Sequence, residues 1–171
     1  MEKAVKAVLY AYPMLKNVEQ DYDEHIKNMA ILSYRDDGDV ERLVEKIGDE
    51  IVQKQLLVRL KGLTERVLAR LSDVERTLIA LRYFGKKRKI NRPICTRKGF
   101  GTWNESKYFR MQNKLVRRLV SLFCLEGFTK EEFYTCFAPM ELFEKLLTYL
   151  DRDTKQRIGR NERVWLGIAE K

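Results

Sequence analysis

The residues with the clearest chemical potential in this sequence are cations, and they are concentrated in one stretch of the chain. Residues 86–118 contain 12 Lys or Arg and a single acid, Glu105, for a net charge of +11. Residues 1–85 and 119–171 each have a net charge of −1. Such a block repels itself unless an anion is bound, and nucleic-acid phosphate is the commonest such anion because each neutralised phosphate releases a counterion. A solvated basic surface is the plainer alternative.

Part of this block, residues 104–123, has the spacing of an amphipathic helix. At about 100° per residue, its five cations fall within an arc of about 100°, and the apolar side chains fall between about 40° and 220°. One face can be buried while the other stays basic, which suits a helix placed in the major groove of DNA. A solvated face and an anionic membrane surface are the alternatives. The five cations are Lys107, Arg110, Lys114, Arg117 and Arg118.

Seven further cations lie in the irregular stretch that precedes this helix. We expect Lys107, Arg110 and Lys114 to face the groove, where base edges can be read. Arg117 and Arg118, together with the seven loop cations, are expected to contact phosphates. The loop cations are Lys86, Lys87, Arg88, Lys89, Arg92, Arg97 and Lys98.

Catalytic and metal-binding chemistry is not indicated by the remaining residues. His25 is the only histidine, and its polar surroundings predict a surface position. The three cysteines lack a C-x-x-C pair, so no zinc site is predicted, and Cys124 and Cys136 are expected to be buried at apolar positions. The carboxylates at 21–24 are interpreted as a solvated helix face. The sequence therefore predicts no enzyme, no metal and no cofactor, because no nucleophile, base and orienting group can be assembled.

Helical spacing runs through almost the whole chain, so the predicted fold class is an all-α helical bundle. A short helix is expected over 2–12, with Pro13 either interrupting it or starting the next helix, and a turn follows at 35–39. A long helix is predicted over 40–71, with Gly48 and Gly62 as points where it could bend or break. Its apolar stripe is expected to pack within the chain, and a homodimer through this helix is left open.

Helix boundaries are marked by capping residues in the second half of the sequence. The segments 72–75 and 129–132 read as capping boxes, in which an N-cap hydroxyl and a glutamate three residues later satisfy each other's backbone amides. Gly127 is the expected stop of the helix that begins near 104. A further helix is predicted over 140–150, and a charged helical tail over 152–171.

The cellular location is expected to be cytoplasmic, and nucleoid-associated when the protein is bound to DNA. No apolar run approaches the ~18 residues of a membrane span, so no membrane partner is expected. Three cysteines in 171 residues exclude a disulfide-rich secreted scaffold.

Residues 71–84, which read Leu-Ser-Asp-Val-Glu-Arg-Thr-Leu-Ile-Ala-Leu-Arg-Tyr-Phe, resemble a known DNA-binding helix. The pattern is similar to the first helix of the region 4 helix-turn-helix of bacterial sigma-70 factors. Residues 103–110, followed by Leu115 and Leu119, look like the recognition helix, and their aromatic start is also similar to phage-type transcriptional activators of the autolysin-regulator kind. The resemblance implies a helix-turn-helix that binds duplex DNA, with RNA polymerase as a partner left open.

The sequence departs from this family between the two helices. Residues 90–102, with Pro93 and two glycines, stand where the family has a short supporting helix and a tight turn. Either an atypical basic loop replaces the turn, or the scaffold is kept and DNA binding has been lost. Residues 1–70 do not resemble the sigma segments that bind polymerase or melt promoters, so a regulator is expected rather than a complete sigma factor.

These observations predict three parts of the chain and one main function. Residues 1–70 are expected to form a helical support, 71–127 the DNA-binding module, and 128–171 helices that pack on the module. The predicted function is that of a bacterial or phage transcriptional regulator that reads duplex DNA with the helix at 104–123. The alternatives are an adaptor that binds an acidic protein, and an RNA binder that stacks bases on its aromatic residues.

Overall fold

Every regular element that the structure describes is a helix. The computed structural model describes residues 1–33, 40–84 and 105–152, and no strand occurs in those ranges, which confirms the all-α class. None of the helices in these ranges is long and apolar enough to cross a lipid bilayer. The helices are α1 (Glu2–Ser33), α2 (Val40–Ala69), α3 (Asp73–Ile79, continued by a π-helical turn, Ala80–Phe84), α4 (Glu105–Leu125), α5 (Lys130–Glu132, continued by a π-helical turn, Phe133–Phe137) and α6 (141–152).

Helix α1 runs without interruption through Pro13, so the expected break at this residue is wrong. A proline inside a helix removes one backbone hydrogen bond and costs about 3 kcal/mol. The side chains on both sides of Pro13 offset this cost, because residues 4, 5 and 7–11 are buried and Leu15 is buried one turn later. Tertiary packing therefore overrides the local preference.

Helix α2 is also continuous, and neither Gly48 nor Gly62 breaks it. Its C-terminal half is buried at Leu57, Leu60 and Leu63, as far as Val67. The apolar stripe predicted for its N-terminal half is not packed in the same way, because most of its side chains are exposed. The expectation that the whole stripe packs within the chain is therefore wrong for residues 40–51 in the part of the chain that the structure describes.

Helices α1 and α2 form an antiparallel pair that polar side chains hold together. The Tyr22 hydroxyl donates to Gln53 at 2.7 Å, and the imidazole of His25 lies 2.9 Å from Glu50. Lys54 and Lys61 of α2 extend the same pattern by bonding to Asp23 and Glu19 at 2.5 and 3.0 Å. We call residues 19–31 of α1 and 40–56 of α2 the arm, since these segments lie beyond most of the apolar core.

The apolar core lies at the other end of the molecule and is rich in phenylalanine. Phe133 lies at its centre, with its ring centroid 5.6 Å from that of Phe143 and 6.3 Å from that of Phe128. Tyr10 of α1 closes one side, 4.7 Å from the ring of Tyr83. The π-helical turn after α3 places Tyr83 there by adding one residue to the helical turn.

A single cluster of buried side chains extends from Ala4 to Leu150 and includes residues of all three predicted parts. Lys3 at the start of α1 also pairs with Asp151 of α6 at 2.8 Å. The division at residues 70 and 127 stays a prediction. The predicted turn at 35–39, the basic stretch 85–104 and the tail 153–171 lie outside the described residues.

Candidate nucleic-acid interface

Helix α4 carries the candidate interface, and its sequence explains how it is seated. Leu115, Leu119 and Phe123 are buried at intervals of four residues, and Val116, three residues before Leu119, is buried on the same face. At about 25 cal/mol per Å², burying each such side chain stabilises the fold by roughly 2 kcal/mol. This face fixes the rotation of α4 about its own axis, and therefore fixes where its cations point.

The C-terminal end of α4 is closed by a Schellman motif around Gly127. The amide of Phe128 donates to the carbonyl of Phe123, and that of Gly127 to the carbonyl of Cys124, both at 3.0 Å. Gly127 has a φ of 81°, which glycine adopts without strain, and the rings of Phe123 and Phe128 lie 5.6 Å apart. The predicted helix stop at Gly127 is confirmed.

A second contact ties the same end of α4 to α2. The carboxylate of Glu126 bonds to Arg66 at 2.8 Å and also to Arg70. The hydrogen bond from Arg66 is the main reason why the pKa of Glu126 is lowered. Burial opposes this shift, and the charge of Arg70 adds to it. We call this pair of contacts the Glu126 clamp.

The basic face of α4 is exposed at Arg110, Lys114, Arg117 and Arg118. Among the described side chains, Arg110 and Lys114 have no carboxylate within ion-pair distance. Lys107 belongs to α4, but its side chain lies outside the described residues, as do Lys86, Lys87, Arg88, Lys89, Arg92, Arg97 and Lys98.

Two cations of the face already pair with carboxylates of the same chain. Arg118 bonds to Glu75 of α3 at 2.5 Å, and the guanidinium of Arg117 lies 4.0 Å from Glu2 of α1. Both arginines stay at least half exposed. A guanidinium has five N–H donors, so each can bind a further anion without giving up its present partner.

Glu75 joins the basic face to the start of α3. Its carboxylate accepts from the backbone amide and the hydroxyl of Ser72, each at 3.0 Å, while Ser72 accepts from the amide of Glu75 at 3.4 Å. The predicted capping box is therefore confirmed. Burial alone would raise the pKa of Glu75, but the bonds from Ser72 and the charge of Arg118 outweigh it, so this pKa is lowered.

Only one of the two hydrogen bonds of the second predicted capping box, at Thr129, is formed. The Thr129 hydroxyl accepts from the amide of Glu132 at 3.0 Å, as a cap should. The Glu132 carboxylate instead lies 3.0 Å from Arg59 of α2, and the described contacts contain no return bond to Thr129. An ion pair between helices thus replaces the local bond that the sequence pattern suggested.

Gln112 is a buried polar residue that connects α4 to α3. Its amide nitrogen donates to the carbonyl of Leu78 at 3.0 Å and to the hydroxyl of Tyr108 at 3.3 Å. Its amide oxygen is buried and accepts no hydrogen bond within the described part of the chain. Sequence reasoning missed this residue, although a glutamine inside the apolar arc of an amphipathic helix is itself a signal of a buried polar contact.

Of the two described aromatic residues near the start of α4, Tyr108 packs against the apolar core. Tyr108 and Phe109 are half-buried, with ring centroids 5.3 Å apart. Burial raises the pKa of Tyr108 against the opposing charge of Arg82 and its bond to Gln112.

Two expectations about other reactive residues have different outcomes. His25 is exposed, as predicted. Cys124 is exposed and Cys136 is only partly buried, so the expectation that both are buried is wrong. On α4, Cys124 falls outside the arc that holds the core-facing residues, which explains its exposure. Within residues 1–33, 40–84 and 105–152, no group of three potential metal ligands is present.

Comparison of the chain with protein-family models, with curated proteins and with solved structures finds no match.

Proposed function

We propose that this protein is a DNA-binding transcriptional regulator that reads duplex DNA with α4. The observation that carries the proposal is the division of α4 into a buried apolar face and an exposed basic face. An exposed helix selected only for stability would mix acids with its cations at i,i+4 spacing, whereas the exposed face of α4 has none among its described residues from 108 to 123.

In this proposal α3 and α4 act as the two helices of a helix-turn-helix-like module. The capping box gives α3 a defined start, and Gln112 holds α4 against the carbonyl of Leu78. Residues in the first half of α4 would then face base edges, with Arg110 and Lys114 as the described candidates. Arg117 and Arg118, one to two turns later, would contact phosphates. RNA polymerase is a further partner that the resemblance to sigma factors suggests.

Fluorescence anisotropy with labelled duplex DNA, repeated at several salt concentrations, tests the proposal. Affinity should fall steeply with salt, because phosphate contacts release counterions. The double variant Arg110→Glu/Lys114→Glu should lose at least tenfold in affinity. Arg117→Ala, which removes a cation expected to contact phosphate, should instead flatten the salt dependence by about one unit of slope. Absence of binding at low salt would contradict the proposal.

The matched control is Lys16→Glu/Lys27→Glu, which changes the net charge by the same amount at exposed positions of α1. A general effect of net charge would weaken both double variants equally. A specific interface on α4 requires the control to bind much better than the α4 variant. Tighter binding of single-stranded RNA than of duplex DNA would instead favour an RNA-binding function.

The second candidate is an adaptor that binds an acidic protein surface. The pairing of Arg118 with Glu75 favours it, because this basic face already accepts a carboxylate. An adaptor would bind an acidic polypeptide and show no affinity for duplex DNA at low salt. The same α4 double variant, assayed with both ligands, separates the two functions.

A further inference from the structure

Helix α2 exposes a line of β-branched side chains that runs along the arm and ends just beyond it. Val40, Val44, Ile47, Ile51 and Val58 follow one another at intervals of four, three, four and seven residues, which is heptad spacing. Four of them are between 39% and 60% exposed, and Ile47 is half-buried. We call this line the seam; it is about 27 Å long at 1.5 Å per residue.

The seam opens onto a groove between the two helices of the arm. The groove has a volume of about 430 Å³ and contains Ile51 and Val58 of the seam beside Ile26 of α1. Lys54 and Asp23, which pair with each other at 2.5 Å, also border it. A concave apolar surface flanked by a heptad-spaced seam is the shape that receives another helix.

Four of the five seam residues pair with one another when two copies of α2 run antiparallel, and this property decides what the other helix is. If two copies of α2 run antiparallel with Asp49 at the centre, Val40 of each copy lies opposite Val58 of the other. Ile47 likewise lies opposite Ile51. A two-fold interface needs such a self-complementary patch, because the same residues contact each other twice.

We propose that the seam binds the seam of a second copy of this chain, with the two α2 helices antiparallel. Each α2 then covers the groove of the other copy, and the two arms together form a four-helix arrangement. This proposal does not depend on the proposed function, since none of its residues belongs to α4.

The neighbours of the seam fit this arrangement. Gly48 lies beside it with no atom within 4 Å of the position that a Cβ would occupy, so two backbones can approach closely there. Val44 lies opposite Lys54 of the other copy, whose aliphatic stem can cover it while the ammonium group stays on Asp23. Glu41 comes near Arg59 of the other copy, and Arg59 is 61% exposed despite its bond to Glu132.

The size of the seam sets the expected strength. At a width of about 10 Å, a helix face about 27 Å long buries on the order of 300 Å² per copy, well below the roughly 800 Å² of a tight complex. We therefore expect a weak, reversible dimer that is populated only at high protein concentration.

Sedimentation velocity of the whole chain from about 1 to 200 µM is the first test, without DNA present. The sedimentation coefficient should rise with concentration from that of a monomer to that of a dimer. Val44→Lys should weaken the dimer at least tenfold, because each new ammonium group would lie opposite Lys54 of the other copy. A monomer at every concentration would overturn the proposal.

The matched control is Val52→Lys on the same helix. Val52 is as exposed as Val44, at 56% against 60%, but lies about 80° away from it around the helix. It should dimerise like the unmodified chain, and equal loss in both variants would overturn the proposal. Both side chains are exposed, so circular dichroism melting should show two folded proteins.

Cross-linking tests the direction of the helices, in a background where Cys95, Cys124 and Cys136 are replaced by Ser. Mixing the Val40→Cys and Val58→Cys proteins under oxidation should give a disulfide-linked dimer that contains one copy of each. Linkage of the Val40→Cys protein to itself, with none in the mixture, would mean parallel helices and overturn the antiparallel arrangement.

Discussion

The two ends of this molecule are stabilised by different means. The phenylalanine-rich end buries large rings against each other, and Phe123, Phe128, Phe133, Phe137 and Phe143 are all essentially inaccessible to solvent. The arm relies on hydrogen bonds and ion pairs between partly exposed side chains, and it leaves its β-branched residues uncovered. The difference teaches that the free energy of folding is concentrated at one end, while the other end keeps apolar surface available for contact.

The largest expected effect comes from removing a ring at the centre of the packed end. Phe133→Ala should lower the free energy of unfolding by about 3–5 kcal/mol, because a large cavity forms among neighbouring aromatic rings. Tyr22→Ala, which removes an aromatic side chain from the arm, should cost only about 1–2 kcal/mol. Urea denaturation measures both values, and equal losses would remove the distinction between the two ends.

A smaller effect is expected at the buried amide that joins α3 to α4. Gln112→Ala should destabilise the fold by about 1–3 kcal/mol, since it leaves a cavity and removes the bond to the carbonyl of Leu78. Gln112→Met should cost less, because it fills the space and also removes a buried oxygen that accepts no bond among the described residues. A methionine variant less stable than the alanine variant would contradict this account, because both lack the polar contact and only the alanine variant leaves a cavity.

The smallest effect is expected at Glu75, and it depends on pH. The pKa of Glu75 is lowered in the folded chain, so its contribution is fully present above the unfolded pKa and is lost as pH falls through the folded pKa. Glu75→Gln should therefore cost less than about 1 kcal/mol at pH 7, since the carboxylate is partly exposed. Thermal melts between pH 7 and 2 should bring the two proteins together in acid, and a constant difference would contradict this account.

Several parts of the fold were predictable because they depend on residues close in sequence. The capping box at Ser72 and the helix end at Gly127 follow from local hydrogen bonds and from the backbone freedom of glycine. The buried face of α4 follows from a periodicity that places Leu115 and Leu119 on one side. In each case the physical cause lies within a few residues of the feature.

The wrong predictions share a cause in contacts between distant residues. Pro13 stays within α1 because the residues around it are buried against other helices. The Glu132 carboxylate pairs with Arg59, which is distant in sequence, instead of completing the capping box at Thr129. The pairing of Arg118 with Glu75 was not foreseen for the same reason, and its effect on the basic face could be found only from the structure.

The Glu126 clamp and the Schellman motif have a consequence for the rotation of α4 about its own axis. They fix one end of the helix. The number of residues between a cation and Phe123 therefore sets the direction in which that cation points. Inserting one residue between Lys114 and Phe123 would keep the charge, length and helical content nearly the same, yet turn every earlier side chain by about 100°. The basic face is thus a matter of angular register as much as of composition.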